Sequence, residues 1–321
     1  MKILFTGKNH SQGLKDLDPS SLSGAARSLG HVLAISGDED PDLVVCVDFH
    51  KSALPAVRKA KSKKIPTVLV ANEPEVVIPE HSQIRILNEF DKVLKVGRPN
   101  SPEALKWPQT WLPIASNKER QDRVVLVNAD KWSFVRGQHY WLRAASSSQF
   151  TSVDVFGFGW ERTAWVRLAH RIFELWRTMA SRTWPNFQGV TKILATPLNY
   201  MGSVSDKNSA MADYKVALVV ENSSEFLTEK LFDAWFAGCI PVYVGPPVEA
   251  FGIPRSLVIQ VTEPTVQGVR DGIDLAMAAD REVFLANLRE YLSSGVEVEW
   301  KAEFALKAIL ESSTQRLRPN S

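Results

Sequence analysis

The run YKVALVVENSSEFLTEKLFDAWFAGCIPVYVGPPVEAFGIPRSLVIQV, Tyr214 to Val261, decides how the chain reads. Val216 to Val220 is apolar, rich in valine and too short for a helix, which predicts a strand buried on both faces of a parallel sheet. Glu221, Asn222, Ser223 and Ser224 turn the chain polar at that strand's carboxyl end, where open α/β sheets bind ligands. Thr228 is a candidate N-cap for a helix from Glu229 to Ala237. Its Leu231, Phe232, Ala234, Trp235 and Phe236 suit packing on a sheet, and Gly238 ends it. Cys239 to Gly245 and Ser256 to Val261 predict two further strands. A helix N-terminus in this place concentrates N–H groups and the positive end of a dipole, which suits an anion. Lys230 in its first turn adds a charge for a phosphate, and the Glu229 carboxylate accepts hydrogen bonds from hydroxyls. The pair suits a nucleotide sugar; spacing alone equally allows an ordinary βαβ unit with a solvated Glu-Lys pair.

Upstream, strands are predicted at Lys2 to Thr6, Val32 to Ser36, Asp42 to Asp48, Ile65 to Ala71 and Asp91 to Val96, with helices at Ser20 to Leu29 and His50 to Lys61. Alternation of this kind predicts a doubly wound parallel domain. No G-x-G-x-x-G follows the first strand, so no dinucleotide site is indicated there. Pro99 to Pro113, with four prolines, is the best linker candidate, and a second α/β unit starts at Val124. The boundaries read as 1–115, 116–300 and a C-terminal helix and tail at 301–321, with Arg281 to Arg318 mostly helical by pattern.

The wording of the opening stretch goes further than its spacing. ENSSEFLTEKLFDAWFAGCIPVYVG resembles the donor-binding signature of the α-1,3/4-fucosyltransferases, glycosyltransferase family 10: ENS, then TEK, then A-G-x-x-P-V-x-x-G. KWSFVRGQHYWLRAAS, Lys131 to Ser146, is similar to the family's segment ending in a donor-contacting Arg, here Arg143. SVDVFGFGW, Ser152 to Trp160, resembles its V-D-x-x-G-x-G-W turn, and YMGSVSDKNSAMADYK, Tyr200 to Lys215, its Y-x-G-x-x-x-DK…YK block. The four motifs stand in family order.

The resemblance implies a GT-B fold, α/β with two Rossmann-like doubly wound domains facing a cleft, the first on the acceptor side and the second binding the GDP-sugar donor. It implies inverting transfer of fucose from GDP-fucose to a hydroxyl of a glycan acceptor. Arg143 and Lys230 would be the leaving-group cations with Lys207 assisting, while Asn222 and Glu229 would hold hydroxyls of the ribose or sugar. Phe226 stands where many members have Tyr, keeping a stacking surface without its hydroxyl. Glu73 is the candidate general base, at the place of an E-S-P-like motif, but here Pro74 follows directly and Glu75 is close enough to compete. The family's Y-R-R-D-S-D segment has no copy; the region reads ILNEFDKVLKVGR. With cations at the phosphates, neither a metal nor another cofactor is required. Asp38-Glu39-Asp40 mimics a metal-binding D-x-D but reads as a solvated turn before a strand. The alternatives are a transferase using another GDP-sugar, a non-catalytic nucleotide-sugar-binding protein, and a nucleotide-sugar epimerase.

Composition narrows the rest. The 321 residues are 45% hydrophobic and 23% charged, with a net charge of +2, too small to make nucleic acid a main partner. Cys46 and Cys239 read as reduced core thiols, and the six histidines have no paired metal-ligand spacing. No apolar run reaches the roughly 20 residues of a membrane span. MKILFTGK turns polar too quickly for a signal peptide. The expectation is a cytoplasmic enzyme of the bacterial style of the family. Residues 162–179 offer one membrane feature. Trp165, Leu168, Ile172, Leu175, Trp176 and Met179 recur at helical spacing among Arg162, Arg167, Arg171 and Arg177. This predicts either a surface helix packed by its aromatic stripe, or a basic amphipathic helix that shapes the acceptor site or touches anionic lipid at the inner membrane face.

Overall fold

A computed structural model describes residues 1–8, 21–34, 40–98, 104–106, 108–116 and 119–314. They form two compact units, residues 1–111 with 295–321 and residues 112–294. Asp38 and Glu39 of the D-x-D lie outside the described residues. Asp40 is within them and pairs on the surface with Lys63, N to O 2.6 Å.

The first unit runs β1 (Lys2–Thr6), α1 (Leu22–Ser28), β2 (Val32–Leu33), β3 (Leu43–Val47), α2 (Leu54–Ser62), β4 (Thr67–Ala71), α3 (Ile84–Leu87), β5 (Lys92–Val96) and β6 (Ala104–Leu105). The strand order is β2-β1-β3-β4-β5-β6 and every pairing is parallel. β3 and β4 are buried at all five positions, as strands covered on both faces must be. Ser21 caps α1 by accepting from Gly24 N at 3.0 Å. The Pro-rich stretch read as a linker is more than a connector: Ala104 and Leu105 pair with Lys95 and Val96. That strand forms the sheet edge, where neighbouring prolines remove no ladder bond. A C-terminal helix, Ala302–Thr314, completes this unit by packing on α1, β4 and β5.

The second unit runs β7 (Gln121–Val127), α4 (Tyr140–Gln149), β8 (Val153–Phe156), α5 (Ala164–Ala180), β9 (Asn199–Gly202), α6 (Lys207–Met211), β10 (Tyr214–Val220), α7 (Glu229–Phe236), β11 (Ile240–Val244), β12 (Ile259–Gln260), α8 (Val266–Ala278) and α9 (Arg281–Ser293). The order β12-β11-β10-β7-β8-β9, again all parallel, is the doubly wound pattern whose direction of growth reverses between β7 and β10. α7 is built as its sequence predicts. Thr228 caps it, Leu231, Phe232, Trp235 and Phe236 are buried, and Gly238 ends it at φ 71°. Trp235 donates its buried Nε1–H to the Leu257 carbonyl at 3.0 Å, so its burial leaves no polar group unpaired. Cys46 and Cys239 are buried free thiols.

The predicted amphipathic helix forms as α5, but turned the other way from a helix packed by its aromatic stripe. Arg167 and Arg171 are only 2% and 4% exposed, whereas Trp165, Ile172, Trp176 and Met179 face outward. The reason is Asp130, just beyond β7, whose carboxylate takes Arg167 Nε at 2.7 Å and Arg171 Nη2. Carbonyls of Ile193, Leu194 and Ala195 accept from the same two guanidinium groups. A buried cation needs such partners, and together they outweigh the burial of apolar side chains on this helix. Among the described residues no helix is long and apolar enough to cross a membrane.

Candidate functional site

At the β7/β10 reversal the chain leaves two neighbouring strands in opposite directions, and the two departing segments are tied together. Gln138 bridges Ser223, and His139 N donates to the Asn222 carbonyl at 3.0 Å. Arg143, on the first turn of α4, sends Nε to the Val220 carbonyl at 3.1 Å and Nη2 to Asn222 Oδ1 at 2.8 Å. Its guanidinium stacks over Tyr140, 4.8 Å from the ring centroid. Arg143 is buried, and burial lowers its pKa against the attraction of Tyr140, Glu221 and Glu229.

Lys230, Glu229 and Lys207 form the charged mouth of the same region. Lys230 Nζ donates to Thr228 Oγ1 at 2.8 Å and stands 3.5 Å from Glu221 and 3.9 Å from Glu229. Lys207 Nζ is 3.6 Å from Glu229 and 3.4 Å from Asp233. Asp206, the other half of the DK pair, caps α6 by accepting from Asn208 N and Ser209 N. Lys230 first, then Lys207, draws the half-exposed Glu229 carboxyl down to about 2. Burial works against the charge on Lys207, but Glu229 and Asp233 outweigh it and leave its pKa raised. Arg143, Lys207, Asn222, Glu229 and Lys230 are thus brought together. Phe226 lies in the same loop but is buried, so its ring is part of the packing.

Three side chains outside the candidate list also belong to this site. Glu221 is wholly buried and accepts from Thr228 N at 2.8 Å and Thr228 Oγ1 at 2.7 Å, which fixes the loop onto the helix cap. Burial raises its pKa against the pull of Lys230. The signal for it was present: a glutamate directly after a buried strand and seven residues before a capping Thr. Tyr243 brings its hydroxyl over Gly245, where a Cβ would stand 2.4 Å from that oxygen and 2.9 Å from Glu221 Cγ; only glycine fits there.

His139 is the third, buried with Nδ1 lacking a partner among the described residues. Burial, then the Arg143 charge, lowers its pKa to about 4. Above its ordinary value of 6.5 neither folded nor unfolded chain is protonated there, and the group contributes nothing. As pH falls below that value the unfolded chain takes a proton the folded chain refuses, so stability falls until pH passes about 4. Urea unfolding at pH 7 and pH 4.5 tests this. The acid loss of the parent should exceed that of His139→Gln by about 2 to 3 kcal/mol; equal losses would mean the ring accepts its proton in the folded state.

In the first unit, Glu73 lies two residues beyond β4 with its backbone held on both sides. Its N–H donates to Asp48 Oδ1 at 2.7 Å, and its carbonyl accepts from His81 Nδ1 at 2.8 Å. His81 Nε2 accepts from Phe49 N at 3.0 Å, which fixes the neutral tautomer. Burial lowers the His81 pKa accordingly. Asp48 holds its place at φ 56°, a costly conformation for a residue with a side chain. Glu75, the competing carboxylate, is instead paired with Arg98 and stands 3.8 Å from Lys95.

No family model and no curated protein sequence matches the chain. Solved structures do. An α1,3-fucosyltransferase with GDP superposes with a TM-score of 0.57 at 15% identity, over 98% of this chain and 90% of that one. The α1,3-fucosyltransferase with GDP-fucose gives 0.56 at 16%, over 100% and 91%. HepE of Anabaena, in complex with UDP and glucose, gives 0.56 at 12%, over 98% and 100%. At such identities the likeness is one of fold: two parallel α/β units, the GT-B architecture of these glycosyltransferases.

Proposed function

We propose that the chain is an inverting glycosyltransferase that moves a sugar, fucose by the wording of its motifs, from a GDP-sugar to a hydroxyl of a glycan acceptor. One observation carries the reading: Arg143, Lys207, Asn222, Glu229 and Lys230 converge at the strand reversal of the second unit, where doubly wound sheets bind nucleotides. Similar folds crystallised with GDP and with GDP-fucose support it. In the proposed reaction the Glu73 carboxylate takes the acceptor hydroxyl proton. That oxygen bonds to C1 of the donor sugar while the bond from C1 to the β-phosphate oxygen breaks. GDP departs with the electron pair, and Lys230 with Lys207 offsets its growing charge; Arg143, bonded to the Val220 carbonyl and Asn222, holds the start of the loop that leads from β10 to the helix of Lys230. No metal or other cofactor enters the scheme.

The nucleotide is the discriminating choice, because HepE, with the same fold, was crystallised with UDP. GDP and GDP-fucose at about 100 times Kd should stabilise the protein by about 2.7 kcal/mol and raise its Tm by about 5 to 10 °C without added metal. UDP and UDP-glucose should not. Lys230→Ala, read by calorimetric titration so that its own stability is immaterial, should lose most of the GDP affinity. A response to UDP and none to GDP would replace the proposal with a UDP-sugar transferase. Binding of GDP-fucose without transfer to any acceptor would make the chain a nucleotide-sugar-binding protein.

A further inference from the structure

The outer face of α5 carries none of the residues gathered at the β7/β10 reversal, and its composition is unusual for a surface. At 100° per residue, Trp165, Ile172, Trp176 and Met179 fall within an arc of about 60°, in a strip about 20 Å long. Arg167, Arg171 and Thr178 occupy the opposite arc and are buried. Trp165 is 80% exposed, and Trp184, in the loop after the helix, is 92% exposed. Phe187 of that loop is also exposed, resting edge-on against Phe134 with ring centroids 5.7 Å apart. Tryptophan and phenylalanine outside, with arginine inside, is the reverse of a helix that packs on its own protein.

Charge decides what fits this face. Residues 158–201 hold six basic side chains, Arg162, Arg167, Arg171, Arg177, Arg182 and Lys192, against two acidic ones, Glu161 and Glu174. A net charge of +2 for the whole chain makes this local excess notable. Asp130 neutralises one of the buried pair, leaving the rim of the aromatic face positive, with Arg162 and Arg182 exposed. A second copy of the chain would set this rim against itself, since a twofold contact joins identical patches. A negatively charged surface that accepts indole rings at its edge does not have that cost.

We infer that the outer face of α5 and the loop carrying Trp184 and Phe187 dock on an anionic lipid bilayer, with the aromatic strip in the headgroup region and Arg162 and Arg182 against lipid phosphates. Two of the four arginines that the periodicity sets among the aromatic residues, Arg167 and Arg171, serve instead as the inner clamp that holds the strip outward. The assignment is independent of the donor and of catalysis.

Sedimentation of the full chain with vesicles tests it. With phosphatidylcholine and phosphatidylglycerol at 3:1 in low salt, the protein should pellet with blue-shifted tryptophan emission. With phosphatidylcholine alone, or at 0.5 M salt, it should remain largely in the supernatant. Trp165→Ser with Trp176→Ser and Trp184→Ser should weaken binding about tenfold or more, and Arg162→Glu with Arg182→Glu should remove the preference for anionic vesicles. All five substitutions lie on exposed side chains, so thermal melting should stay near that of the parent. No pelleting of the parent at low salt overturns the inference. So does a concentration-dependent dimer in velocity sedimentation that the tryptophan variant abolishes, which would assign the face to a second copy. Unchanged vesicle binding by the tryptophan variant overturns it as well.

Discussion

Replacing Glu73 by Gln is expected to lower sugar transfer by about 10²–10⁴-fold, the usual contribution of a general base, while GDP affinity stays essentially unchanged. The substitution preserves shape and removes basicity. Its backbone supports, Asp48 and His81, bond to main-chain atoms that glutamine retains, so the loop should keep its place. Donor affinity should hold because Glu73 belongs to the first unit and the nucleotide-binding candidates to the second. Glu75→Gln is the internal control: its carboxylate is paired with Arg98 and Lys95, so the change should cost stability rather than kcat. Initial rates with saturating donor and acceptor separate these outcomes. A swap of the two phenotypes would move the base to Glu75, and parent-like transfer by Glu73→Gln would remove the first-unit assignment while leaving the nucleotide proposal standing.

Asp130→Ala should destabilise the second unit by about 3 to 5 kcal/mol, because it leaves two buried guanidinium groups without their carboxylate. In a unit of this size that is a fall in Tm of about 10 °C or more. Arg177→Ala, which breaks a partly exposed pair with Glu174, should cost about 1 kcal/mol or less. Adding Arg167→Leu and Arg171→Met to Asp130→Ala should restore much of the loss, since apolar side chains of similar size carry no unpaired charge. If Asp130→Ala melts like the parent, the clamp on α5 is ornamental and the outward set of the aromatic strip has another cause.

These contrasts mark what the sequence made legible. The strands were readable because a strand covered on both faces must be a continuous apolar run, as in LVVCV and TVLVA. The α7 cap, helix and Gly238 ending were readable because each rests on local backbone chemistry. The residues at the β7/β10 reversal came from motif wording, since spacing alone equally allows an ordinary βαβ unit; the fold sets Arg143 beside Asn222 and Lys207 beside Glu229. The orientation of α5 was not readable. Periodicity defines two faces of a helix, and the choice between them was made by Asp130, more than thirty residues upstream of Arg167. Glu221 escaped because its role depends on Thr228 and Lys230 closing over it. β6 escaped because edge pairing tolerates a Pro-rich context that local rules read as connector.

The C-terminal helix makes the first unit discontinuous in sequence: residues 1–111 meet their last structural element only after 112–294 have intervened. Ala305, Leu306 and Ile309 are fully buried in that packing. During synthesis, therefore, the second unit has its whole sequence out of the ribosome before the first can close. Until about residue 314 emerges, the apolar side of α1 and the neighbouring ends of β4 and β5 are exposed to water and to chaperones. The translation schedule thus makes the later-encoded unit the first that can mature, and leaves the earlier-encoded one waiting for the helix Ala302–Thr314.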